Sequence, residues 1–295
     1  MSSTDAMTTV DATIPEAPER LRRAEAVIQH RTSRLVLVLE QCMDSHNHQA
    51  VLRTAEALGI QHVWLVNPNE RQVKKHKSGS STGNKKIAKN CSFWLTMREF
   101  TSISDCIDAL KAENCTIWAT DLSPEAVPLS SEHKPSELPS RLAIVIGRET
   151  DGVSAEMLSA ADKRVYFPIF GFTESLNLSV ATALVVQRLF DWFPEIRGDL
   201  SSTEKEQIRT QWYPQLIHNP TQARQAAHWV EHSHEIPPLD DLRREKLQYN
   251  ESWIPKRVRQ REMQMPEVQE RIGVKPTANH TPDNATEPRT ADEKA

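Results

Sequence analysis

The amino-acid sequence predicts an α/β fold built around a parallel sheet. Residues 34–40 (RLVLVLE) have the leucine and β-branched content of a strand, and they are followed by an amphipathic helix at residues 46–59 and a second strand at residues 62–66. Strand, helix and strand at short spacing are typical of a parallel sheet. Two short apolar runs, residues 143–146 and 165–167, also have the composition of strands that are covered on both faces.

Length and composition limit the classes of protein to consider. The chain has 295 residues, of which 38% are hydrophobic, and this suffices for one core domain with an appendage. No apolar run approaches the roughly 20 residues of a membrane-spanning helix, and the first 20 residues lack the hydrophobic stretch of a signal peptide. The four cysteines have no metal-ligand spacing. We therefore predict a cytoplasmic protein with no membrane contact and no metal.

The N-terminal region combines a polar start with a basic helix. Residues 1–15 are small, polar and without periodicity, which predicts disorder. Residues 16–30 place Leu21, Val27 and other apolar residues on one helical stripe, with several arginines in the same turns. This pattern fits a surface helix with a solvated charged face, which we prefer on this evidence alone, or a basic helix that touches nucleic acid.

The helix at residues 46–59 carries the first candidate residues. Asn47 is a suitable N-cap and Gly59 a suitable C-cap. Arg53 lies in the second turn, close enough to reach the carboxyl ends of the strands, where parallel sheets bind ligands. An arginine in a mostly apolar helix is more often a buried ion-pair partner than a catalyst. Arg53 therefore becomes a candidate only if other motifs agree.

Residues 71–98 are strongly basic. The segment contains no Asp or Glu, although the chain has a net charge of −4, and its basic residues are Arg71, Lys74, Lys75, Lys77, Lys85, Lys86, Lys89 and Arg98. Basic loops of this kind commonly contact the phosphates of a nucleic acid. A solvated charge run is an equally good interpretation.

The second half of the predicted sheet leads to a polar loop. A helix is predicted at residues 103–112, a strand at residues 116–119 that ends at Thr120, and a Pro- and Ser-rich connection at residues 121–140. Residues 171–179 supply small and polar side chains between the last strand and an apolar helix. Unpaired backbone amides at a helix start favour the acceptors of a ligand. The eight glycines form neither GxGxxG nor GxxxxGK, so a nucleotide-like ligand must be bound in another way.

Three segments together carry a resemblance to a known family. NHQAVLRTAEALG (residues 47–59), IVIGRETDGVS (residues 144–154) and VYFPIFGFTESLNLSVATAL (residues 165–184) resemble the three motifs of the SpoU/TrmH branch of the SPOUT RNA 2'-O-ribose methyltransferases. The match spans roughly residues 20–193 in the family's order and spacing, so it is far more specific than any single motif. The chain is identified on this basis as a member of that family.

The resemblance implies a fold, an assembly and a cofactor. Family members form a parallel α/β sheet with a C-terminal deep trefoil knot, the SPOUT fold, and they work as homodimers. Their methyl donor is S-adenosylmethionine, held mainly by backbone groups in the knot, which is consistent with the missing glycine fingerprints. By similarity, the cofactor pocket here involves Thr120, Gly147, Phe167, Ile169 and Leu176.

The resemblance also implies the catalytic residues. Arg53 matches the essential arginine of the first motif and Asn47 its asparagine, whereas Glu149, Ser175 and Asn177 line the site. A free arginine is a poor base because its pKa exceeds about 12, so the family proposal that it acts together with a substrate phosphate is physically more reasonable.

Each of these roles has a structural alternative. Asn47, Ser175 and Asn177 could cap helices, and the glycines at 147 and 152 could only permit turns. Glu149, taken as a buried carboxylate, could tie down its loop as readily as it contacts substrate.

The expected substrate is tRNA, most of all the guanosine at position 18 of the D-loop. A short basic N-terminal helix and a helical C-terminal extension resemble the layout of the tRNA enzymes, although Thr173 and Glu174 depart from their third motif. The alternatives are a ribosomal-RNA 2'-O-methyltransferase and a catalytically inactive RNA-binding member. The residues expected to contact RNA are Arg22, Arg23, Lys74, Lys75, Lys77, Lys85 and Lys86.

The predicted domain organisation has four parts. A disordered start (residues 1–15) precedes the methyltransferase domain with its basic N-terminal helix (residues 16–198). A mostly helical C-terminal extension (residues 199–264) and a disordered tail (residues 265–295) follow. Five aromatic residues predict that part of the extension packs, and these are Trp212, Tyr213, Trp229, Tyr249 and Trp253.

Overall fold

The computed structural model describes residues 17–42, 44–66, 91–217, 228–229 and 231–242. All of them belong to the first of two compact units, which spans residues 1–242. Several predictions lie outside the described residues. These are the predictions for the lysines between positions 74 and 86, for the two ends that were predicted to be disordered, and for Tyr249 and Trp253.

The described residues form an α/β architecture. Its helices are α1 (Glu19–Ile28), α2 (Ser45–Leu58), α3 (Ile103–Ala112), α4 (Ala155–Ala160), α5 (Leu178–Trp192) and α6 (Ser202–Leu216). Its strands are β1 (Thr32–Glu40), β2 (Ile60–Val66), β3 (Thr96–Phe100), β4 (Thr116–Thr120), β5 (Val127–Pro128), β6 (Leu142–Ile146) and β7 (Lys163–Tyr166). Single turns of 3-10 helix occur at Cys91–Trp94, Ser131–His133, Pro194–Ile196 and Ser233–Glu235. No helix among the described residues is long and apolar enough to cross a membrane.

The seven strands form one parallel sheet, as predicted. Their order is β3-β2-β1-β6-β4-β7-β5, and every neighbouring pair is parallel. Leu39 of β1 lies beside Ile146 of β6, and Thr120 of β4 lies beside Val165 of β7. The carboxyl ends of these four strands therefore meet at one edge of the sheet.

Strand β1 shows how the sheet is covered on both faces. Leu37 and Leu39 pack with residues of α2 and α5, whereas Val36 and Val38 pack with residues of α3 and α4. Successive side chains of a strand point to opposite faces, so an unbroken apolar run fills two cores at once. This explains why the central strands were recognisable from sequence as apolar runs without alternation.

Two edge strands, β3 and β5, were not predicted from the sequence. β3 has mostly exposed side chains, and β5 is only two residues long within the Pro-rich connection. Arg98 consequently belongs to β3 and not to a basic loop. Its guanidinium pairs with Glu113 at 2.7 Å and lies 4.7 Å from the ring centroid of Trp64. Its placement in a basic loop was wrong.

Helix α2 begins earlier than the sequence suggested. Its N-cap is Asp44, whose carboxylate accepts hydrogen bonds from the backbone N–H groups of His46 (2.6 Å) and Asn47 (3.0 Å). The prediction that Asn47 caps this helix was wrong, because Asp44 already satisfies those amides. The predicted C-cap is confirmed: Gly59 has φ +92°, and a Cβ there would lie 2.7 Å from the carbonyl oxygen of His30.

Helices α1 and α6 pack together in a third apolar cluster. Trp212, Tyr213 and Trp229 are buried in it, which confirms that this part of the C-terminal region packs. The buried carboxylate of Glu25 accepts two hydrogen bonds from Arg209, at 2.9 and 2.8 Å, and one from the hydroxyl of Tyr213. The domain boundary between residues 198 and 199 stays a prediction.

Removing Arg209 is expected to destabilise the fold. The change Arg209→Met leaves Glu25 buried without its ion-pair partner and is expected to lower the free energy of unfolding by about 3 kcal/mol in urea titrations. Replacing Glu25 and Arg209 together by Met is expected to recover most of the loss. The control Gln207→Met, at an exposed position of α6, is expected to change stability by less than about 0.5 kcal/mol. Equal stability of Arg209→Met and Gln207→Met would contradict this role.

Candidate active site

The loops that follow the central strands meet at the carboxyl edge of the sheet. Residues 41–44 follow β1, residues 147–154 follow β6 and residues 167–177 follow β7. These loops contain or adjoin most of the residues that sequence analysis selected. A site at this edge agrees with the usual position of ligands in open parallel sheets.

Three of the five predicted catalytic residues form one hydrogen-bonded chain. The Nδ2 of Asn177 donates to the Oδ1 of Asn47 at 2.9 Å, and the Nδ2 of Asn47 donates to the Oε1 of Glu149 at 3.2 Å. The fold thus joins residues that are more than 100 positions apart in sequence. The three sequence motifs converge on one place.

Asn177 has a structural role as well. It is the N-cap of α5, and its Oδ1 accepts hydrogen bonds from the backbone N–H and the hydroxyl of Ser179, at 3.0 and 2.7 Å. The predicted capping by Asn177 is confirmed, whereas Ser175 is exposed and is not the cap. The Oδ1 of Asn177 caps α5 while its Nδ2 donates to Asn47. Asn177 therefore links the site to a rigid helix.

Glu149 is exposed, so its description as a buried carboxylate was wrong. Its position is nevertheless restrained, because Oε1 accepts from Asn47 and from the thiol of Cys42, whose Sγ is 3.2 Å away. Burial, followed by the neighbouring carboxylate of Glu149, raises the pKa of the Cys42 thiol, which therefore stays protonated as a donor. Sequence analysis missed Cys42, since nothing in its spacing separates it from an ordinary core cysteine.

Arg53 differs from the expectation of a buried ion-pair partner. Its side chain is exposed and makes no ion pair with any residue in the part of the chain that the structure describes. It lies six residues after Asn47 on α2, about 9 Å further along the helix axis. Neither Arg53 nor Ser175 takes part in the hydrogen-bonded chain. A guanidinium held on a rigid helix and open to solvent is free to bind an anionic group.

The predicted cofactor residues surround the same edge of the sheet. The hydroxyl of Thr120 donates to the carbonyl oxygen of Val145 at 3.0 Å, which joins the ends of β4 and β6. Phe167 is half-buried beneath the guanidinium of Arg188, 5.2 Å from its ring centroid. Ile169 and Leu176 are also half-buried. Their apolar surfaces are thus available to a ligand.

Gly147 is required by a close approach of two backbone segments. Arg148 and Gly152 form an antiparallel bridge with N···O distances of 2.9 and 3.1 Å. A Cβ on Gly147 would lie 2.1 Å from the carbonyl carbon of Gly152, so any side chain would force the loop open. Gly152 itself has φ +71°, which favours glycine. Both glycines do permit a turn, as the structural alternative proposed, and that turn presents Glu149.

Two of the three arginines of α1, Arg22 and Arg23, hold a C-terminal segment. The Nε of Arg22 donates to the carbonyl oxygen of Pro237 at 3.4 Å, and the Nη2 of Arg23 donates to that of Leu242 at 2.8 Å. Both side chains are half-buried. These arginines therefore have a structural role, which sequence analysis had not assigned to them.

Four large apolar side chains beside the site are exposed. Phe170 and Phe172 are exposed to 97% and 110% in the loop before α5, Leu122 follows β4, and Val180 lies in the first turn of α5. We call these four residues the apolar patch. Exposed apolar surface of this kind often marks a place where a protein binds a partner. Among the described residues, no three His, Cys, Asp or Glu side chains are placed to hold a metal ion.

The fold and the site together define a parallel α/β protein with a polar candidate site in the loops at the carboxyl edge of the sheet. Comparison with known families makes the assignment specific. The model of the SpoU rRNA Methylase family matches residues 34–187, more than half of the chain. The chain therefore belongs to the SpoU methylase family.

Individual relatives agree with this assignment. The tRNA (guanosine(18)-2'-O)-methyltransferase of Borreliella burgdorferi is 34% identical over 203 residues, which cover 68% of this chain and 87% of the relative. The enzyme of the same name from Escherichia coli is 30% identical over 169 residues, covering 57% and 68% of the two chains. The crystal structure of the A. aeolicus TrmH/SpoU tRNA modifying enzyme matches with a TM-score of 0.53 at 25% identity, covering 68% of this chain and 96% of that one.

Proposed function

We propose that this protein is an S-adenosylmethionine-dependent tRNA 2'-O-methyltransferase, whose target is the D-loop guanosine at position 18. The observation that carries the proposal is the hydrogen-bonded chain Asn177–Asn47–Glu149, which unites the three family motifs in one site. The names of the relatives supply the substrate: the B. burgdorferi and E. coli proteins are both tRNA (guanosine(18)-2'-O)-methyltransferases.

The residues at the carboxyl edge of the sheet fit the proposed methyl donor. The half-buried side chains of Phe167, Ile169 and Leu176 offer apolar surface for an adenine ring. Gly147 lets the backbone of Gly152 approach closely and so fixes the turn that presents Glu149, and the hydroxyl of Thr120 joins the adjacent strand ends. The acidic side chain of Glu149 is compatible with a cationic ligand. We propose that these residues hold S-adenosylmethionine.

The chemistry requires a ribose 2'-hydroxyl that loses its proton as its oxygen attacks a methyl group. When bound, S-adenosylmethionine supplies that methyl group on a sulfonium sulfur. A guanidinium does not lose its proton at neutral pH, so we assign Arg53 the binding of the phosphate next to the target ribose. A phosphate oxygen then accepts the hydroxyl proton. Placement of the hydroxyl in line with the methyl group contributes much of the rate.

The hydrogen-bonded chain has a positioning function in this scheme. Oε1 of Glu149 is held by Asn47 and Cys42, whereas its second oxygen accepts from no residue within the described ranges. We propose that this second oxygen accepts a hydrogen bond from the substrate nucleotide. Asn177 caps α5 and also donates a hydrogen bond to Asn47, so it restrains Asn47 relative to this helix. Ser175 lies two residues before Asn177 and is exposed, so its hydroxyl adds a further polar group to the site.

The contact with RNA is proposed to extend beyond the site. The lysines of the basic segment, with Arg22 and Arg23 of α1, are expected to bind phosphates and so position the tRNA without reading its sequence. The proposed residues of the basic segment are Lys74, Lys75, Lys77, Lys85 and Lys86. A cytoplasmic location is proposed with this substrate and is supported by four cysteines that are not in disulfides.

We also propose a trefoil knot and a homodimer. The strand order supports the knot, because β6 lies between β1 and β4 and β7 lies between β4 and β5, each inserted between strands that precede it in sequence. The apolar patch supports the dimer, since a second copy would cover side chains that are otherwise in water.

A charge within the apolar patch is expected to separate the dimer. In sedimentation equilibrium, we expect the wild type to have twice the mass of the chain and Phe172→Glu to shift toward the monomer mass, because a carboxylate would be buried without a partner. The exposed control Gln207→Glu on α6 is expected to remain dimeric. A monomeric wild type would refute the proposed assembly.

A ribosomal-RNA substrate is the second candidate. The family is described by its rRNA methylases, and a 23S rRNA (guanosine-2'-O-)-methyltransferase of Haemophilus ducreyi is 30% identical over 159 residues, covering 54% of this chain and 60% of that relative. The two substrates are separated by offering radiolabelled S-adenosylmethionine with unmodified tRNA or unmodified rRNA. Label on tRNA alone supports the proposal, and label on rRNA alone supports the second candidate. Label on neither would point to an inactive RNA-binding member.

A further inference from the structure

Glu40 is a buried carboxylate to which neither the sequence motifs nor the proposed chemistry gives a role. It is the last residue of β1, at the carboxyl edge of the sheet, and its exposed fraction is 0%. Burying a carboxylate is costly unless it receives hydrogen bonds. Glu40 receives them from the backbone N–H of Ser154, which lies 3.1 Å from Oε1 and 3.3 Å from Oε2.

This hydrogen bond anchors one end of the loop that carries Glu149. Ser154 is the N-cap of α4, and its hydroxyl accepts a hydrogen bond from the backbone N–H of Met157 at 3.2 Å. The other end of the loop is closed by the bridge between Arg148 and Gly152. Glu149 therefore lies in a short turn that is fixed at both ends.

The end of β1 holds the same loop at a second point. Gln41, next to Glu40, has φ +49°, an uncommon value for a residue other than glycine, and its N–H donates to the carbonyl oxygen of Val66 at 3.0 Å. Cys42 follows and donates to Glu149. Glu40 thus restrains the loop at Ser154, and Cys42 restrains it at Glu149. Both residues lie at the carboxyl end of β1.

The environment of Glu40 indicates that its acceptor oxygens matter more than its charge. Burial raises the pKa of the Glu40 carboxyl, and the hydrogen bonds from Ser154 and the charge of Arg148 only partly oppose this shift, while Glu156 adds to it. Keeping the Glu40 carboxylate ionised in this buried position therefore costs free energy. A glutamine would keep one acceptor oxygen at the same place without that cost.

We infer that Glu40 is a positioning residue for the proposed methyl transfer, which anchors Ser154 and thereby sets the position of Glu149. The inference rests on the proposed function. Glu40 touches neither substrate nor cofactor in this scheme. It acts by holding the loop in the geometry that the transfer needs.

The test compares two substitutions at Glu40. Glu40→Gln keeps an acceptor for Ser154 and is expected to retain kcat within about twofold. Glu40→Leu removes the acceptor and is expected to lower kcat for tRNA about tenfold or more, with KM for tRNA nearly unchanged. Hydrogen exchange of the Ser154 amide, measured without ligands, is expected to accelerate at least about tenfold in Glu40→Leu but not in Glu40→Gln.

Asp199 supplies a matched control at the opposite end of β1. Its carboxylate accepts hydrogen bonds from the N–H of Ser33 at 2.8 Å and the hydroxyl of Thr32 at 3.2 Å, far from the site. Asp199→Leu is expected to reduce stability while kcat at 25 °C and exchange at Ser154 stay unchanged. Should Glu40→Leu not fold, Ser154→Pro removes the same hydrogen bond from the donor side, at a residue whose φ is already −63°. Its kcat is then compared with that of Ser154→Ala, which removes only the hydroxyl cap of α4.

The outcomes separate the inference from the proposed function. An equal loss of kcat in Glu40→Leu and Asp199→Leu would overturn the inference, because it would reflect general destabilisation. Unchanged exchange at Ser154 in Glu40→Leu would overturn it as well. A wild type that methylates no RNA would reject the proposed function, and the exchange measurement would still decide whether Glu40 anchors the loop.

Discussion

Replacing Arg53 by alanine is expected to reduce methyl transfer by about a thousand-fold or more while the fold stays intact. The expected loss is large because the guanidinium is assigned the substrate phosphate, whose position controls both the attack and the removal of the proton. The fold is expected to survive because the side chain is exposed and forms no ion pair with any described residue. The free energy of unfolding should therefore change by less than about 0.5 kcal/mol.

The substitution Arg53→Lys refines this prediction. A lysine keeps the positive charge but lacks the planar pair of donors that binds a phosphate at two points. We expect Arg53→Lys to recover only a small part of the activity. Single-turnover transfer of labelled methyl to tRNA, with urea unfolding as the control for folding, measures both variants. Undiminished transfer by Arg53→Ala would refute the assigned role.

Replacing Asn47 by alanine is expected to lower kcat about a hundred-fold with little effect on stability. The change removes both the hydrogen bond to Glu149 and the one from Asn177, so the chain that joins the motifs is broken. Stability is expected to change little, because Asn47 is half-exposed and Asp44, not Asn47, caps α2.

Asp44→Ala is the matched control for Asn47→Ala. It removes the cap of the same helix and is expected to destabilise the protein while leaving kcat close to that of the wild type. Hydrogen bonds from the backbone N–H groups of Asn47 and His46 lower the pKa of the Asp44 carboxyl. The contribution of Asp44 is therefore present above the ordinary aspartate pKa of about 4 and is lost as pH falls further. If Asn47 had only a structural role, Asn47→Ala would lower stability and leave kcat close to that of the wild type.

The central strands and helices were predictable from sequence because burial on both faces leaves unbroken apolar runs. The strands β1 and β6 and the helix α5 are of this kind. Strand β3 was not predictable, since an edge strand with exposed charged residues has no apolar pattern. The choice of cap for α2 also failed, because Asp44 and Asn47 are both good capping residues and only the backbone geometry decides between them.

The candidate site was predictable as a set of residues but not as a geometry. The resemblance selected Asn47, Glu149 and Asn177, but no periodicity indicates that the first contacts both of the others. Cys42 and Glu40 had no distinguishing pattern at all. Their roles depend on atoms contributed by distant segments, which only the folded chain brings within hydrogen-bonding distance.

The two residues that depart from the third family motif lie on the surface of the protein. Thr173 and Glu174 are both exposed in the loop before α5. An exposed carboxylate stays hydrated and needs no partner, so Glu174 carries no burial cost in this position. Both residues are compatible with the proposed function.

The most direct test of the central claim uses two versions of one tRNA, with guanosine or 2'-deoxyguanosine at position 18. The proposed function predicts transfer of radiolabelled methyl to the first version, at the ribose of nucleotide 18, and none to the second, which lacks the acceptor hydroxyl. Equal labelling of both versions, or labelling of neither when ribosomal RNA is labelled, would contradict it.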